Sequence, residues 1–250
     1  MITFKNLHKS FGNREILKGI DLHIAKGKTT VILGVSGGGK STIIKHLVGL
    51  LQADEGKILI EGEEIDPKNE KQMRSIRKDV GFLFQSGALF DSMNVFENVA
   101  FALREHTSMN EEEIAQKVHE KLSMVGLDAK TISALFPDEL SGGMRKRVGL
   151  ARTIALEPKV ILYDEPTSGL DPITSDHVTQ MIINLQKHLE VTSILISHDI
   201  KESFKAGDFF AMLYDGKIVE YGDAEDIKNS SHPAVQQFIH AQSQGPIQFT

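Results

Sequence analysis

Apolar positions along this chain follow two rhythms, and the rhythm changes twice. Near the N-terminus, short β-rich runs predict strands at Ile2–Asn6, Gly19–Ile24 and Thr29–Leu33, with a turn near Phe11-Gly12-Asn13. From Lys40 to Leu51, apolar residues Ile43, Ile44, Leu47, Val48 and Leu51 recur at i, i+3, i+4 spacing and predict a helix. Lys57–Ile60 and Val80–Phe84 read as further strands. From Asn94 to Leu156 the pattern is mostly helical, and Asn94 with Glu97 and Asn110 with Glu113 have the spacing of capping boxes. Strand-rich sequence flanks this block on both sides, so it reads as an inserted helical subdomain.

Beyond it β and α alternate again. Val160–Tyr163 is a continuous apolar strand of the kind buried in a parallel sheet. Asp171 is placed to cap a helix with Pro172 at its first position, and Val178, Met181, Ile182, Leu185 and Leu189 form its stripe. Thr192–Ile196 is another buried strand. Phe209–Tyr214 and Lys217–Tyr221 read as a hairpin around Asp215-Gly216. Helices are expected at Ala224–Lys228 and Pro233–Gln242.

Composition narrows this picture. The chain has 250 residues, 40% hydrophobic and 25% charged, an ordinary globular balance that suits one large domain or a domain with an insertion. A formal net charge of −6 gives no basic excess of the kind a nucleic-acid binder carries, so no nucleic-acid partner is expected. The absence of cysteine excludes disulfides, thiol chemistry and Cys-ligated metal, and fits the cytosol. The N-terminal M-I-T-F-K-N-L-H-K-S lacks the apolar core of a signal peptide. No run approaches the roughly 18 apolar residues of a spanning helix, so work at a membrane would need other subunits to cross it.

Two short segments carry chemistry. Gly34-Val35-Ser36-Gly37-Gly38-Gly39-Lys40-Ser41 matches G-x-x-x-x-G-K-[ST] between a β-run and a helix. Glycines there let backbone N–H groups turn toward a triphosphate, and the following helix, beginning Lys40-Ser41-Thr42, presents its free N–H groups and positive end. Lys40 reaches the β- and γ-phosphates and the Ser41 hydroxyl ligates Mg2+. Further on, the strand Val160–Tyr163 runs into Asp164-Glu165. Ligands of open α/β sheets sit at strand C-termini, which places Asp164 to hold Mg2+ through water and Glu165 to polarise an attacking water.

A third segment, Leu140-Ser141-Gly142-Gly143-Met144, lies between these two and opens a helix rich in Arg145, Lys146, Arg147 and Arg152. Ser followed by two Gly at a helix start forms a second anion cradle. In this position L-S-G-G-M resembles the signature of ATP-binding cassette (ABC) ATPases, with Met144 where Gln is usual. The family's other motifs follow in order. Gln85 matches the Q-loop that senses Mg2+ and the attacking water, Ser168-Gly169-Leu170-Asp171 the D-loop, and His198 in I-S-H-D the switch histidine. Phe11 in S-F-G matches the aromatic that stacks on adenine. The resemblance implies an α/β fold: a P-loop NTPase core of ABC type with an antiparallel β subdomain and an inserted helical subdomain. The whole of 1–250 would form one ABC domain, with core and β subdomain at 1–93 and 157–223, helical subdomain at 94–156 and C-terminal helices and tail at 224–250. It also implies an ATPase with ATP and Mg2+ as cofactors. The ATP-binding residues would be Phe11, Gly34, Ser36, Gly37, Gly38, Gly39, Lys40, Ser41 and Thr42, with Ser141, Gly142 and Gly143 supplied by a second copy of the chain. Ser41, Gln85 and Asp164 would hold Mg2+, and Glu165, His198, Gln85 and Lys40 would carry catalysis. One chain has one P-loop and one signature, so two chains facing head to tail complete two sites.

A narrower resemblance rests on Leu83–Phe90, on Met93-Asn94-Val95-Phe96-Glu97-Asn98-Val99, on Leu103-Arg104-Glu105-His106-Thr107, and on A-L-E-P at Ala155–Pro158. Together with Gln237-Phe238-Ile239 and Gly245-Pro246-Ile247-Gln248-Phe249, these are similar to Mla-type phospholipid-transport ATPases. That resemblance implies a peripheral subunit at the cytoplasmic face of a Gram-negative inner membrane. Its partners would be a second copy of itself, a permease of the MlaE type, MCE-domain lipid-binding subunits of the MlaD type and a STAS-domain subunit of the MlaB type. The tail would reach toward the partner ATPase. Residues 85–103 would form the groove for the permease's coupling helix, with Leu89, Phe90, Met93 and Phe96 exposed there or, for about half of them, packed into the subdomain core. An importer ATPase for another solute and a non-transport ABC ATPase remain open as alternatives.

Overall fold

A computed structural model describes residues 1–248; Phe249 and Thr250 of the expected tail lie outside them. The chain divides into two compact units, one made of Met1–Arg74 with Thr192 onward, the other of Ser75–Val191.

The first unit contains two sheets. Its antiparallel sheet has the spatial order Arg14–Ile24, Ile2–Phe11, Glu55–Ile60, Glu63–Glu64. The first two strands are longer than their apolar runs predict, because the hairpin closes tightly at Gly12-Asn13 with Phe11 opposite Arg14. Inward residues along Ile2–Phe11 are Ile2, Phe4 and Leu7, so the alternation slips by one. The slip is a bulge at Asn6, whose φ is +47° and where the register shifts against both neighbours. Gly56 faces it with φ +85°, and a Cβ there would come within 2.1 Å of the Asn6 carbonyl oxygen, so only glycine fits.

The other sheet runs in the order Lys217–Gly222, Phe209–Tyr214, Thr29–Leu33, Thr192–Ile196. Thr29–Leu33 is parallel to both of its neighbours, with Val31 opposite Phe210 on one side and Leu195 on the other. All five of its residues are buried, which is why its sequence is apolar or Thr throughout. The hairpin turns at Asp215 and Gly216, with φ of +45° and +75°. That turn docks on the other sheet: Lys18 donates its N–H to the Gly216 carbonyl at 2.8 Å, and its ammonium pairs with Asp215.

Two helices in this unit stop before their expected ends. The helix from Lys40 ends at Leu47, not Leu51, because Gly49 at φ +69° closes it with Leu50 N–H on Lys45 O and Gly49 N–H on His46 O. Pro233–Ile239 likewise stops short of Gln242, closed by Ala241 at φ +50° with Gln242 N–H on Gln237 O. After it the tail folds back on its own chain. Ile247 is buried, and the Gln237 amide accepts its N–H at 2.7 Å and donates to its carbonyl at 3.0 Å. Tyr214 donates to Pro246 O. As far as Ile247, then, the tail is held by its own unit.

The second unit pairs Val80–Leu83 with Val160–Asp164 in parallel. Around this pair lie helices Val95–His106, Glu111–Met124, Ala129–Ile132, Gly142–Thr153 and Pro172–Leu189. Both predicted capping boxes form: Asn94 accepts from Glu97 N–H and Asn110 from Glu113 N–H, with the glutamates answering the cap N–H groups. Val99, Leu103, Ile114, Val118, Leu122, Val148 and Ile154 are among its buried side chains. On Pro172–Leu189, Asp171 caps as expected, while of the predicted stripe Val178, Ile182 and Leu185 are buried and Met181 and Leu189 only half-buried. The division between units falls within helix Glu70–Asp79, which the sequence pattern does not predict because Met73 is its one buried side chain.

Candidate active site

The first unit supplies an anion cradle. Strand Thr29–Leu33 ends at Gly34, whose φ is +148° and where a Cβ would lie 2.5 Å from the Leu213 carbonyl oxygen. Gly39, at φ +101°, lies so close to Ile16 that a Cβ would come within 2.7 Å of its Cγ2. These two glycines are therefore required twice over, by backbone conformation and by space. Ser36 and Gly37 are exposed at the loop's crown. Lys40 is 4% exposed and its ammonium turns back into the loop, donating to Gly34 O at 2.7 Å and Val35 O at 2.9 Å. Ser41 and Thr42 follow in the first helical turn.

That helix start differs from others in the chain. The helices at Val95, Glu111, Pro172 and Ala224 are each closed by an Asn or Asp side chain. At Lys40 the cap is Gly39, with no side-chain capping bond and no acidic residue in the first turn. Uncapped N–H groups, a helix dipole and a buried ammonium at one point form a donor set matched to a polyphosphate, and the Ser41 hydroxyl beside them suits an oxygen-seeking cation. Two further predicted residues lie in the same unit. Phe11 ends its strand 49% exposed, a ring open to stacking. His198 is exposed between strand Thr192–Ile196 and the Asp199-capped helix Ile200–Ala206.

The second unit carries the carboxylates. Strand Val160–Asp164 is buried along its length and delivers Asp164 at 8% exposure. Glu165 follows in a left-handed conformation, φ +49°, a strained state for a non-glycine residue that recurs at functional sites. Ser168 N–H closes the turn onto Glu165 O at 3.1 Å. Gln85, past the end of strand Val80–Leu83, donates through Nε2 to the Glu165 carboxylate at 3.2 Å and to the Ser168 hydroxyl at 3.1 Å. The predicted Q-loop, Glu165 and D-loop residues therefore meet in one cluster.

Ser141 caps helix Gly142–Thr153 by accepting from Met144 N–H, and Ser141 and Gly142 are exposed. Gly143 is required by packing: a Cβ would meet Thr174 Cγ2 at 2.8 Å. Thr174 is itself held by the Asp171 cap, whose carboxyl its hydroxyl and N–H hold below the usual range. In the sequence Lys146 stands out only as one of several basic residues. In the structure it is 7% exposed and donates to the Gln85 carbonyl, and to Glu165 O at 3.5 Å. Burial pushes its pKa down, while the Glu165 charge opposes that shift. The signal was present in the spacing: Lys146, Gly149, Leu150 and Thr153 share the helix face that turns inward, and a lysine among them needs a buried partner.

A buried β-strand leading through a glycine loop to an uncapped helix, with Lys inside the loop, together with a strand-end Asp-Glu, defines a P-loop nucleoside-triphosphatase. The ABC transporter family profile matches residues 17–168, and the chain belongs to that family of ATP-hydrolysing cassettes, which use ATP and Mg2+. It is 42% identical over 249 residues, covering all of this chain and 94% of the other, to the intermembrane phospholipid transport system ATP-binding protein MlaF of Haemophilus influenzae. The Escherichia coli K12 protein of the same name is 41% identical, with 92% of it covered. A probable ribonucleotide transport ATP-binding protein, mkl of Mycobacterium leprae, is 43% identical over 98% of this chain and 70% of its own length. Among solved structures, the post-hydrolysis dimer of the ATP-binding cassette MJ0796 bound to ADP and Pi superposes with TM-score 0.81 at 30% identity, over 89% of this chain and 98% of that one. CbiO1 of Clostridium perfringens gives 0.82 at 29%, over 96% and 94%. The α/β fold of ABC type expected from the sequence is the fold observed.

Proposed function

We propose that the chain is the ATP-hydrolysing subunit of a transporter that moves phospholipid between the inner and outer membranes. The observation that carries this reading is the likeness to the two MlaF proteins, which runs the full length of this chain and over nine-tenths of theirs. The mycobacterial protein named for ribonucleotide transport is as similar, but about three-tenths of its length has no counterpart here. Ribonucleotide or another solute as cargo is therefore the second reading.

In the proposed cycle the chain acts as one ABC domain with 94–156 as its helical insertion, at the cytoplasmic face of the inner membrane. Two copies face head to tail. Lys40 and the N–H groups of Gly37 to Thr42 hold the β- and γ-phosphates, with Gly34 and Ser36 shaping the loop, and the Phe11 ring stacks on adenine. Ser41, Gln85 and Asp164 would hold Mg2+, which would supply neutralisation of charge on the phosphate oxygens. Glu165 takes a proton from the attacking water as its oxygen bonds the γ-phosphorus and ADP departs, and His198 contacts the γ-phosphate. Ser141, Gly142 and Gly143 of the second copy close the site. Catalysis then comes from positioning and charge, with no covalent intermediate.

A groove in the second unit supports a permease partner. It has a cavity of about 430 Å³ with Phe82, Phe84, Phe90 and Phe101 in its wall. Arg77, Lys78, His106 and Arg152 border it, and its lining includes no acidic residue. Phe90 and Phe101 pack with tilted rings, centroids 5.1 Å apart, and are about two-fifths exposed. Leu89, Met93 and Phe96 are half-buried, so none of the four expected groove residues is given over to the core, against the expectation for about half of them. An aromatic floor with a basic rim suits a short membrane-subunit helix that presents apolar residues and an acid.

The test is purification of the tagged full-length chain from its own membranes. A permease and an MCE-domain protein in the complex, bound glycerophospholipid by mass spectrometry and ATP-dependent transfer of labelled phospholipid between vesicles are expected. Recovery with a solute-importer permease and no lipid, or with ribosomes or DNA, overturns the reading.

A further inference from the structure

Helix Gly142–Thr153 is latched to the segment that follows strand Val80–Leu83 at three places. Lys146 donates to Gln85 O, and Arg152 donates to Gly87 O at 2.9 Å. Between them Gly149 lies against Gly87, so that a Cβ on Gly149 would come within 3.2 Å of the Gly87 Cα and carbonyl oxygen. From the other side, a Cβ on Gly87 would meet Arg145 O at 3.2 Å. The helix and segment 85–87 are thus packed backbone to backbone, with no side-chain layer to absorb relative movement.

Lys146 adds a second anchor. Its ammonium also faces Glu165 O at 3.5 Å, and the Gln85 amide faces the Glu165 carboxylate at 3.2 Å. A cation nine-tenths buried holds its acceptors firmly, because any opening leaves it unpaired. Ser141 lies five residues from Lys146 on the same helix, or about 7.5 Å along its axis. A helix moves as a body over so short a span, so a displacement at Ser141 is delivered to Gln85 and Glu165.

We infer that Lys146 is a positioning residue that couples the two ATP sites of a dimer: nucleotide held at Ser141 on behalf of the partner's P-loop sets Gln85 and Glu165 for the chain's own site. This rests on the head-to-tail dimer proposed above. Each ATP then readies two carboxylates, one directly and one through the signature helix, and hydrolysis is cooperative in ATP. Arginine can replace lysine as a multiple N–H donor; methionine fills the space and donates nothing.

The experiment measures ATP hydrolysis against ATP concentration with the full-length chain in its assembled complex. Wild type is expected to give a Hill coefficient of about 1.5–2, the upper limit being the number of sites. Lys146→Met is expected to bring it to about 1, to lower the maximal rate by about 10- to 100-fold through misplacement of Glu165, and to leave half-saturating ATP within about twofold. Lys146→Arg should regain the sigmoid. If the Met variant does not fold, as judged by thermal melting, Lys146→Leu, which likewise donates nothing, carries the same comparison. A hyperbolic wild type, a Met or Leu variant that stays sigmoidal, or an Arg variant that does not recover overturns the inference. Dimer formation is read separately in a Glu165→Gln background. Glu165→Gln with Lys146→Met should still dimerise with ATP; failure of the double variant alone makes Lys146 an assembly residue and overturns the coupling. If Glu165→Gln alone stays monomeric, the dimer reading itself falls, and this inference with it.

Discussion

Gln85 donates one hydrogen bond to the carboxylate of Glu165 at 3.2 Å. An amide in place of that carboxylate still accepts the bond but no longer takes a proton from water. Glu165→Gln should therefore keep the turn and ATP binding while lowering turnover by about 100-fold or more, the scale of a lost general base. ATP-bound dimer should accumulate, as measured by light scattering coupled to gel filtration. Undiminished turnover with no ATP-dependent dimer would sink the assignment.

That cluster was half legible in the sequence. Asp164 and Glu165 at a strand end and the glycine loop before Lys40 are readable because their pattern is local, whereas Gln85 is singled out only by the family resemblance. The turn near Phe11-Gly12-Asn13, the hairpin at Asp215-Gly216 and the Asn94, Asn110 and Asp171 caps are legible for the same reason. Lys146 is not, because what makes it matter is burial against segments distant in sequence. Strand Glu63–Glu64 exists only by pairing with Leu59 and Ile60, and helix Glu70–Asp79 shows no stripe to read. The helix ending at Leu47 is overrun because apolar Leu50 and Leu51 continue its spacing past left-handed Gly49, and the one ending at Ile239 because nothing in its sequence marks the left-handed turn at Ala241.

Gly39 tests the cradle. Alanine there places a methyl 2.7 Å from Ile16 Cγ2 at a φ of +101°, which side chains rarely adopt. The strain should cost about 1–3 kcal/mol. ATP affinity should fall more than stability does, since the displaced N–H groups are the ligands. Calorimetry of ATP binding beside thermal melting separates the two; unchanged affinity in a folded variant rejects the cradle.

Glu157 tests the helical insertion. It accepts from Lys117 at 2.5 Å and Lys121 at 2.9 Å, and these ammonium groups hold its pKa at about 2, down from 4.5. A depressed folded-state pKa contributes stability above pH 4.5 that is lost as pH falls toward 2. The Glu157 side chain is 54% exposed, so solvent screening reduces the contribution to about 1 kcal/mol. Glu157→Gln should lose about that much at pH 7 and flatten the acid limb of a stability-against-pH curve followed by circular dichroism. An unchanged acid limb removes the ion pairs as its cause.

Asn98 tests the groove. It is fully buried, accepts Phe90 N–H at 2.8 Å and donates to the carbonyls of Phe90, Met93 and Asn94. Asn98→Ala strands those groups and should cost about 2–3 kcal/mol. Phe90→Glu leaves that network alone but puts an acid beside Arg152, whose guanidinium lies over the ring at 5.4 Å. It should retain the fold and basal hydrolysis while losing permease in pull-downs. Intact assembly and coupled hydrolysis in Phe90→Glu rule the groove out as the docking site.

The head-to-tail arrangement has a test that neither chain can pass alone. Lys40→Ala removes the buried ammonium of the cradle, and Ser141→Arg blocks the signature. Homodimers of either variant have two defective sites and should be inactive. In a mixed dimer both lesions fall in one site, where the altered P-loop of one copy faces the altered signature of the other. The second site then has a normal P-loop and a normal signature. Equal mixing makes half the dimers mixed, each with one sound site, so recovery has a ceiling of about a quarter of wild-type turnover under two-fold symmetry. Coupling through Lys146 would hold the value below that ceiling without abolishing it. If P-loop and signature of the same chain served one ATP, every site in the mixture would carry a lesion, and mixing would restore nothing.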